Sequence, residues 1–248
     1  TGSTDNTKEI AAQYTSRIYD FKWTSDFSAA RNFSFPKATM EYIYTADADE
    51  ILDDANRERF LRLKGALLPE IEIVQMKYVT QGTFDTVLNA KKEYRPKLFR
   101  RLRTFTWIDP IHETVRLTPV TFDSDVEILH CPQSLHSKRD FSIFIKAFEH
   151  DGQFSPKIRT MYAKELLKTG DKKDFTDAKP IFQLIFDNDP ADDARKEAAC
   201  VLARIYRMED NKNEFFKLTM KDMLTTPSAE ICNELETYFV GQRDYAEA

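Results

Sequence analysis

The spacing of hydrophobic residues predicts strands alternating with helices in roughly the first half of the chain. Aromatic and β-branched residues alternate at 40–45 and partly alternate at 70–80, which predicts strands there. Further short strands are predicted at 17–21, 97–102, 114–117 and 126–130. Apolar residues at helical spacing predict helices at 7–14, 27–38 and 55–64, and Pro36 is expected to end or distort the second of these. This order of elements predicts an α/β fold with a mixed sheet and flanking helices.

From about residue 138 the hydrophobic spacing is helical only. It predicts helices at 139–150, 157–169, 176–187, 191–208, 213–224 and 228–239. The pattern Cys-x2-Ala-x2-Tyr at Cys200 recurs as Cys-x2-Leu-x2-Tyr at Cys232, 32 residues later. Tetratricopeptide repeats have a period of about 34 residues. The sequence therefore predicts two domains, 1–137 and 138–248, the second an all-α, tetratricopeptide-like region whose last residues, 241–248, begin another helix.

Composition excludes several protein classes. The chain is 42% hydrophobic and 31% charged, with only 6 glycines and 10 prolines, which is not typical of collagen-like, low-complexity or disulfide-scaffold proteins. No apolar stretch approaches the length of a membrane-spanning helix, so we expect no transmembrane segment. The net charge of −5 argues against a nucleic-acid partner.

The cysteines and the chain ends bear on localisation. Cys131, Cys200 and Cys232 are odd in number and form no CxxC pair, so we expect reduced thiols in a cytoplasmic protein. The start lacks the basic and apolar regions of a signal peptide. It also lacks Met and a leading strand, and the chain ends within a predicted helix, so we expect a fragment of a longer chain.

An acidic segment follows the strand predicted at 40–45. Asp47 and Asp49 are two residues apart, and alternate residues of an extended chain point to the same side. Both carboxylates can therefore face one divalent cation, Mn²⁺ or Mg²⁺, of the kind that also binds substrate phosphates. The alternative is a solvated acidic turn that leads into a helix capped by Asp53 or Asp54.

Other segments carry candidate phosphate-binding or acid–base groups. In FSAARN, Arg31 is either a phosphate ligand or a surface arginine. The opening TGSTD is either an anion-binding turn or a plain helix cap. In IHE, Glu113 is either a general base in a cleft or half of a surface pair with His112. His130, at the end of a predicted strand, is either a metal ligand or an edge histidine.

Taken in order, TGSTDNT, FSAARN, TADADE and FRR…IHE resemble the family 2 glycosyltransferases, and the resemblance covers essentially the whole chain. It is closest to the bacterial branch that carries C-terminal tetratricopeptide-like helices. The resemblance implies a GT-A fold and a metal-dependent transferase. The donor would be a nucleotide-diphosphate sugar, most often UDP-linked, and the acceptor a peptide, a protein or a cell-surface glycan. Members of the family typically invert the configuration at the sugar.

The resemblance also implies residue roles. Asp47 and Asp49, with His130, would hold Mn²⁺ or Mg²⁺ against the donor diphosphate. Asp47 would thereby also contact the nucleotide sugar, and Arg31 would lie near the nucleotide or diphosphate.

Thr4 and Asp5 would lie near the nucleotide base, and Glu113 would activate the acceptor. Family members carry a strand, a helix and a second strand before TGSTDNT, and these are missing here. The resemblance therefore predicts a damaged donor site in this chain alone.

Two other functions stay open. One is a protein-binding module in which a degenerate transferase domain is joined to a recruiting helical repeat. The other is a hydrolase with paired carboxylates, which would not explain TGSTDNT and FSAARN. The helical region is also expected to support a homodimer or a partner protein through exposed aromatic residues: Phe215, Phe216, Tyr238 and Phe239.

Overall fold

The computed structural model describes residues 3, 5–80, 92–101, 103–116, 118–131, 137–225 and 227–247. The chain divides into two compact units, Thr1–Leu135 and His136–Ala248. None of the helices in these described ranges is long and apolar enough to cross a bilayer.

The first unit contains helices and strands in alternation. Its described helices are α1 (Thr7–Ala12), α2 (Phe27–Ser34) and α3 (Asp54–Ala66), with a 3-10 turn at Phe35–Lys37 directly after α2. Its described strands are β1 (Tyr42–Tyr44), β2 (Glu50–Ile51), β3 (Ile73–Thr80), β4 (Lys92–Arg100), β5 (Trp107–Ile108), β6 (Thr114–Val115) and β7 (Thr121–His130). Pro36 lies in the 3-10 turn that ends α2, as predicted.

The main sheet is mixed, which confirms the predicted fold class. Its strand order is β1-β4-β3-β7-β2. The β3–β7 pair is parallel, and the other pairs are antiparallel. β5 and β6 form a separate antiparallel ribbon. Because β1 and β2 are the two edge strands, the segment that joins them runs from one edge of the sheet to the other.

Two hydrophobic clusters hold the sheet. In the first cluster, Phe60 and Leu63 of α3 pack against buried side chains of the central strands: Val74, Met76, Tyr78, Leu98, Val126 and Ile128. The second cluster packs the 3-10 turn and the β5–β6 ribbon around Phe99: Phe35, Ile73, Phe105 and Trp107. These clusters fix the central strands, whose ends carry the residues of the candidate site.

Two strand predictions need correction. Residues 17–21 form no regular structure, and Ile18 and Tyr19 are exposed. Such a segment forms a strand only when another strand pairs with it, and none of the described strands does so here. The strand predicted at 97–102 instead spans Lys92–Arg100. Pro96 lies inside this strand opposite Gln75, where the register shifts, and such an irregularity tolerates proline.

The second unit is helical over its described residues, as predicted. Its helices are α4 (Ser137–Asp151), α5 (Pro156–Thr169), α6 (Lys172–Asn188), α7 (Asp192–Met208), α8 (Lys212–Met223) and α9 (Ala229–Gly241). Consecutive helices pack together in the pairs α4–α5, α6–α7, α7–α8 and α8–α9, and alternate helices pack in the pairs α4–α6, α5–α7 and α7–α9. This packing of pairs plus alternate helices is typical of helical-hairpin repeats.

Two expectations about the second unit are wrong. Phe215 is buried, and Phe216, Tyr238 and Phe239 are half-buried in one aromatic cluster, so they do not form an exposed patch. These rings are covered because α8 packs against α9, so the aromatic residues of each helix lie against the other helix. The segment 242–247 forms turns and not the start of a helix.

Candidate functional site

The acidic segment between β1 and β2 crosses the end of the main sheet. The Thr45 N–H donates to the Lys97 carbonyl (2.8 Å) at its start, and the Glu50 N–H donates to the Asp47 carbonyl (3.1 Å) at its end. We call residues 45–50 the acidic turn. It carries Asp47 and Asp49 over the three inner strands of the sheet.

Side chains from the three inner strands lie side by side beneath the acidic turn. Lys97 comes from β4, Tyr78 from β3 and His130 from β7. The Tyr78 ring lies 4.8 Å from the His130 ring, and the Lys97 ammonium lies 5.3 Å from the same tyrosine ring. Neither Lys97 nor Tyr78 belongs to a motif that can be recognised in the sequence alone.

Asp49 and His130 are brought together at one end of the turn. The Asp49 Oδ2 lies 3.1 Å from the His130 Nε2. The backbone determines this contact: Glu50 of β2 is paired with His130 of β7, and the Cys131 N–H donates to the Asp49 carbonyl (2.8 Å). Two of the three predicted metal ligands are therefore neighbours.

The Asp47 carboxylate faces two cationic side chains, whereas the Asp49 carboxylate faces His130. The Asp47 Oδ1 lies 3.4 Å from the Arg31 Nη2 and its Oδ2 lies 3.5 Å from the Lys97 Nζ. Burial raises the pKa of Asp47, but the charges of Lys97 and then Arg31 lower it more, so its net pKa is below the usual value. In the described part of the chain, no three His, Cys, Asp or Glu side chains are grouped to hold a metal ion.

Arg31 links the acidic turn to Glu113. Its Nε donates to the Glu113 Oε1 (3.1 Å) while its Nη2 contacts Asp47, and its guanidinium lies 5.6 Å from the Trp107 ring. Asn32, the next residue of helix α2, is hydrogen-bonded to the backbone of Trp107. The Asn32 side chain donates to the Trp107 carbonyl (3.0 Å) and accepts from the Trp107 N–H (2.9 Å). These bonds position Arg31 between the two carboxylates.

Glu113 lies at the turn of the β5–β6 ribbon, directly before β6. Asp109 and His112 in this turn have positive φ angles of 72° and 52°. Positive φ is uncommon for residues with a side chain, and such strain concentrates at functional sites. The turn leaves Glu113 paired with Arg31 at the candidate site.

The opening segment is less informative. Thr4 lies outside the described residues. Asp5 is exposed. Hydrogen bonds from the Thr7 side chain and from the Thr7 N–H (3.1 Å) lower the pKa of its carboxyl group. Of the contacts known for Asp5, none reaches the acidic turn.

Two parts of the chain's likeness to known proteins bear on its family. Residues 1–118 match the family Glycosyl transferase family 2. The chain is also 44% identical over 52 residues to a TPR repeat-containing protein of Synechococcus elongatus; the match covers 21% of this chain and 13% of that protein. A glycosyltransferase domain of this type uses a nucleotide-sugar donor. Residues 1–118 of this chain, which provide Asp47, Asp49, Arg31 and Glu113, thus belong to Glycosyl transferase family 2.

Proposed function

We propose that the protein transfers a sugar, with inversion, from a UDP-linked donor to a peptide, protein or glycan acceptor, using Mn²⁺ or Mg²⁺. The catalytic domain would span residues 1–137 and the helical domain 138–248. The observation that supports this most directly is the convergence of Asp47, Asp49, Arg31 and Glu113 at one end of the sheet.

The residues around the acidic turn would hold one divalent cation. Asp49 and His130 offer an oxygen and a nitrogen, both acceptable to Mn²⁺. Four carboxylates (Asp47, Asp49, Glu50 and Glu113) stand against two permanent cations (Arg31 and Lys97), which leaves two negative charges. A bound divalent cation would balance these two charges and so allow the anionic diphosphate of the donor to approach.

Arg31 would hold the departing diphosphate. Its half-buried guanidinium contacts two carboxylates through Nε and Nη2, and its remaining N–H groups would form charge-assisted hydrogen bonds with phosphate oxygens. The negative charge on the diphosphate grows as the bond to the sugar breaks. A fixed cation next to that charge lowers the barrier, because it need not reorganise during the reaction.

Glu113 would activate the acceptor. The acceptor oxygen forms a bond to the anomeric carbon, and the bond to the diphosphate breaks with its electron pair passing to the diphosphate. The acceptor proton passes to the Glu113 carboxylate. Attack from the side opposite the leaving group inverts the anomeric carbon. The helical domain would bind the acceptor or a partner protein.

A donor screen tests this proposal. Hydrolysis of UDP-glucose, UDP-galactose, UDP-GlcNAc and GDP-mannose is followed with and without Mn²⁺, using the protein at its natural length. We expect metal-dependent turnover of one donor. Turnover should be lost in Asp49→Asn and kept in the control Asp54→Asn, which changes an exposed carboxylate in the first turn of α3.

Two results would count against the proposal. If Asp49→Asn keeps both turnover and metal dependence, the acidic turn does not hold the metal. If the wild-type protein binds no nucleotide by calorimetry, the domain is a recruiting module without transferase activity.

A further inference from the structure

Lys97 is a nearly buried lysine at the centre of the candidate site. It lies on the inner strand β4, and its side chain is 6% exposed. Lysine is rarely buried to this degree, because removing an ammonium group from water is unfavourable unless carboxylates surround it. The carboxylates of Glu50 and Asp47 lie next to this ammonium group.

Lys97 binds the acidic turn at both of its ends. Its carbonyl accepts hydrogen bonds from the Thr45 N–H (2.8 Å) and the Thr45 Oγ1 (3.3 Å). Its ammonium donates to the Glu50 Oε1 and lies 3.5 Å from the Asp47 Oδ2. One residue thus holds the first, third and sixth residues of the turn.

Glu50 links the Lys97 ammonium group to the backbone of the acidic turn. Its side chain is 2% exposed, and its second oxygen accepts from the Asp47 N–H (3.2 Å). Glu50 is also the residue paired with His130 between β2 and β7. The Lys97–Glu50 ion pair therefore restrains Glu50, the residue whose strand pairing places Asp49 beside His130.

We infer that Lys97 is a positioning residue for the transferase. It holds the acidic turn so that Asp49 meets His130 and Asp47 faces Arg31. It acts through the turn, and it is distinct from the predicted metal ligands and from the predicted base. This inference rests on the proposed function, because it concerns the same metal and donor site.

The test removes both members of the buried pair. Lys97→Met alone would leave the Glu50 carboxylate buried without its partner and is expected to impair folding. The double variant Lys97→Met/Glu50→Gln removes both charges at similar volume. Lys77→Met is the control, since Lys77 is a half-exposed lysine on the neighbouring strand β3.

We expect the double variant to unfold at nearly the wild-type temperature but to bind UDP with Mn²⁺ about 10- to 100-fold more weakly, the range typical of residues that orient metal ligands. The Mn²⁺ concentration for half-maximal turnover should rise by a similar factor, while the acceptor KM stays unchanged. Lys77→Met should match the wild type in every measurement.

The outcomes separate this inference from the proposed function. A folded double variant with wild-type UDP affinity and Mn²⁺ half-saturation would show that the pair is only structural. If the double variant does not fold, Lys97→Arg is measured instead. It keeps the charge in a different place, so we expect weaker Mn²⁺ binding, and an unchanged value overturns the inference. A wild-type protein that binds no UDP overturns the proposed function, and this inference with it.

Discussion

Replacing Glu234 by Ala should destabilise the helical unit strongly. Glu234 on α9 is 1% exposed at its side chain and accepts hydrogen bonds from the Arg204 Nε (2.6 Å) and the Arg207 Nε (2.7 Å) of α7. The substitution leaves two guanidinium groups without their carboxylate. Breaking a buried ion pair by removing one member costs about 3–5 kcal/mol.

The structure places the expected loss near the lower end of that range. The Arg204 and Arg207 side chains are 22% and 24% exposed, so water reaches them once the carboxylate is gone. Arg204 also keeps its hydrogen bond to the Leu167 carbonyl (2.8 Å). We therefore expect the free energy of unfolding to fall by about 3 kcal/mol. For a unit of this size that corresponds to a decrease of roughly 10 °C in Tm.

Urea unfolding followed by circular dichroism at the helical band measures this loss. Glu236→Ala is the control, because Glu236 is exposed on the same helix and its removal should change stability by less than about 0.5 kcal/mol. If the two variants lose equal stability, water screens the Glu234 cluster, and the aromatic contacts of α8 and α9 hold α9 in place instead.

Three further predictions concern the first unit. Glu113→Gln should lower kcat by about 10²- to 10⁴-fold and leave UDP binding unchanged in calorimetry; an equal loss of both would show that Glu113 only positions Arg31. Asn32→Ala should lower the free energy of unfolding in urea by about 2 kcal/mol, because the Trp107 N–H and carbonyl lose their partners; an unchanged urea midpoint would contradict this. Burial, followed by the charges of Glu50 and Asp47, raises the pKa of Tyr44 to about 12. The unfolded value is about 10, so the folded state holds this proton more tightly, and its contribution to stability is present below pH ~10 and is lost as the pH rises towards 12. Tyr44→Phe should therefore lose less stability than the wild type between pH ~9 and ~11, and equally steep losses would rule Tyr44 out as a cause.

The helices of the second unit could be predicted closely because their signals are local. The hydrophobic period depends on residues three or four apart, and caps lie next to the helix they start. Ser155, for example, caps α5, with Pro156 at its first position. The prediction began α6 four residues late because the capping box of Asp171 and Asp174 was not recognised.

The strands were less predictable, since a strand requires a partner that is distant in sequence. Residues 17–21 are predicted to form a short strand but have no strand beside them among the described residues. The strand predicted at 97–102 leaves out the first half of β4, which includes Pro96, and the register shift opposite Gln75 accommodates this proline. No local pattern reveals such a shift.

The candidate site shows the same division. The sequence alone indicated the chemistry: Asp47, Asp49, Arg31, Glu113 and His130 are residue types that bind metal, bind phosphate or transfer protons. Whether they meet depends on the pairing of β2 with β7 and on the anchoring of α2, and both are contacts between distant residues.

Lys97 and Glu50 could be recognised only in the folded protein. In the sequence, Lys97 is one lysine within a strand, and its burial depends on strands β1 and β3 closing around β4. The sequence alone reveals the chemistry of each residue and the helical period, because the period depends only on residues that are neighbours in sequence. The register of the sheet and the partner of each buried charge arise from long-range packing, and the tertiary structure decided them.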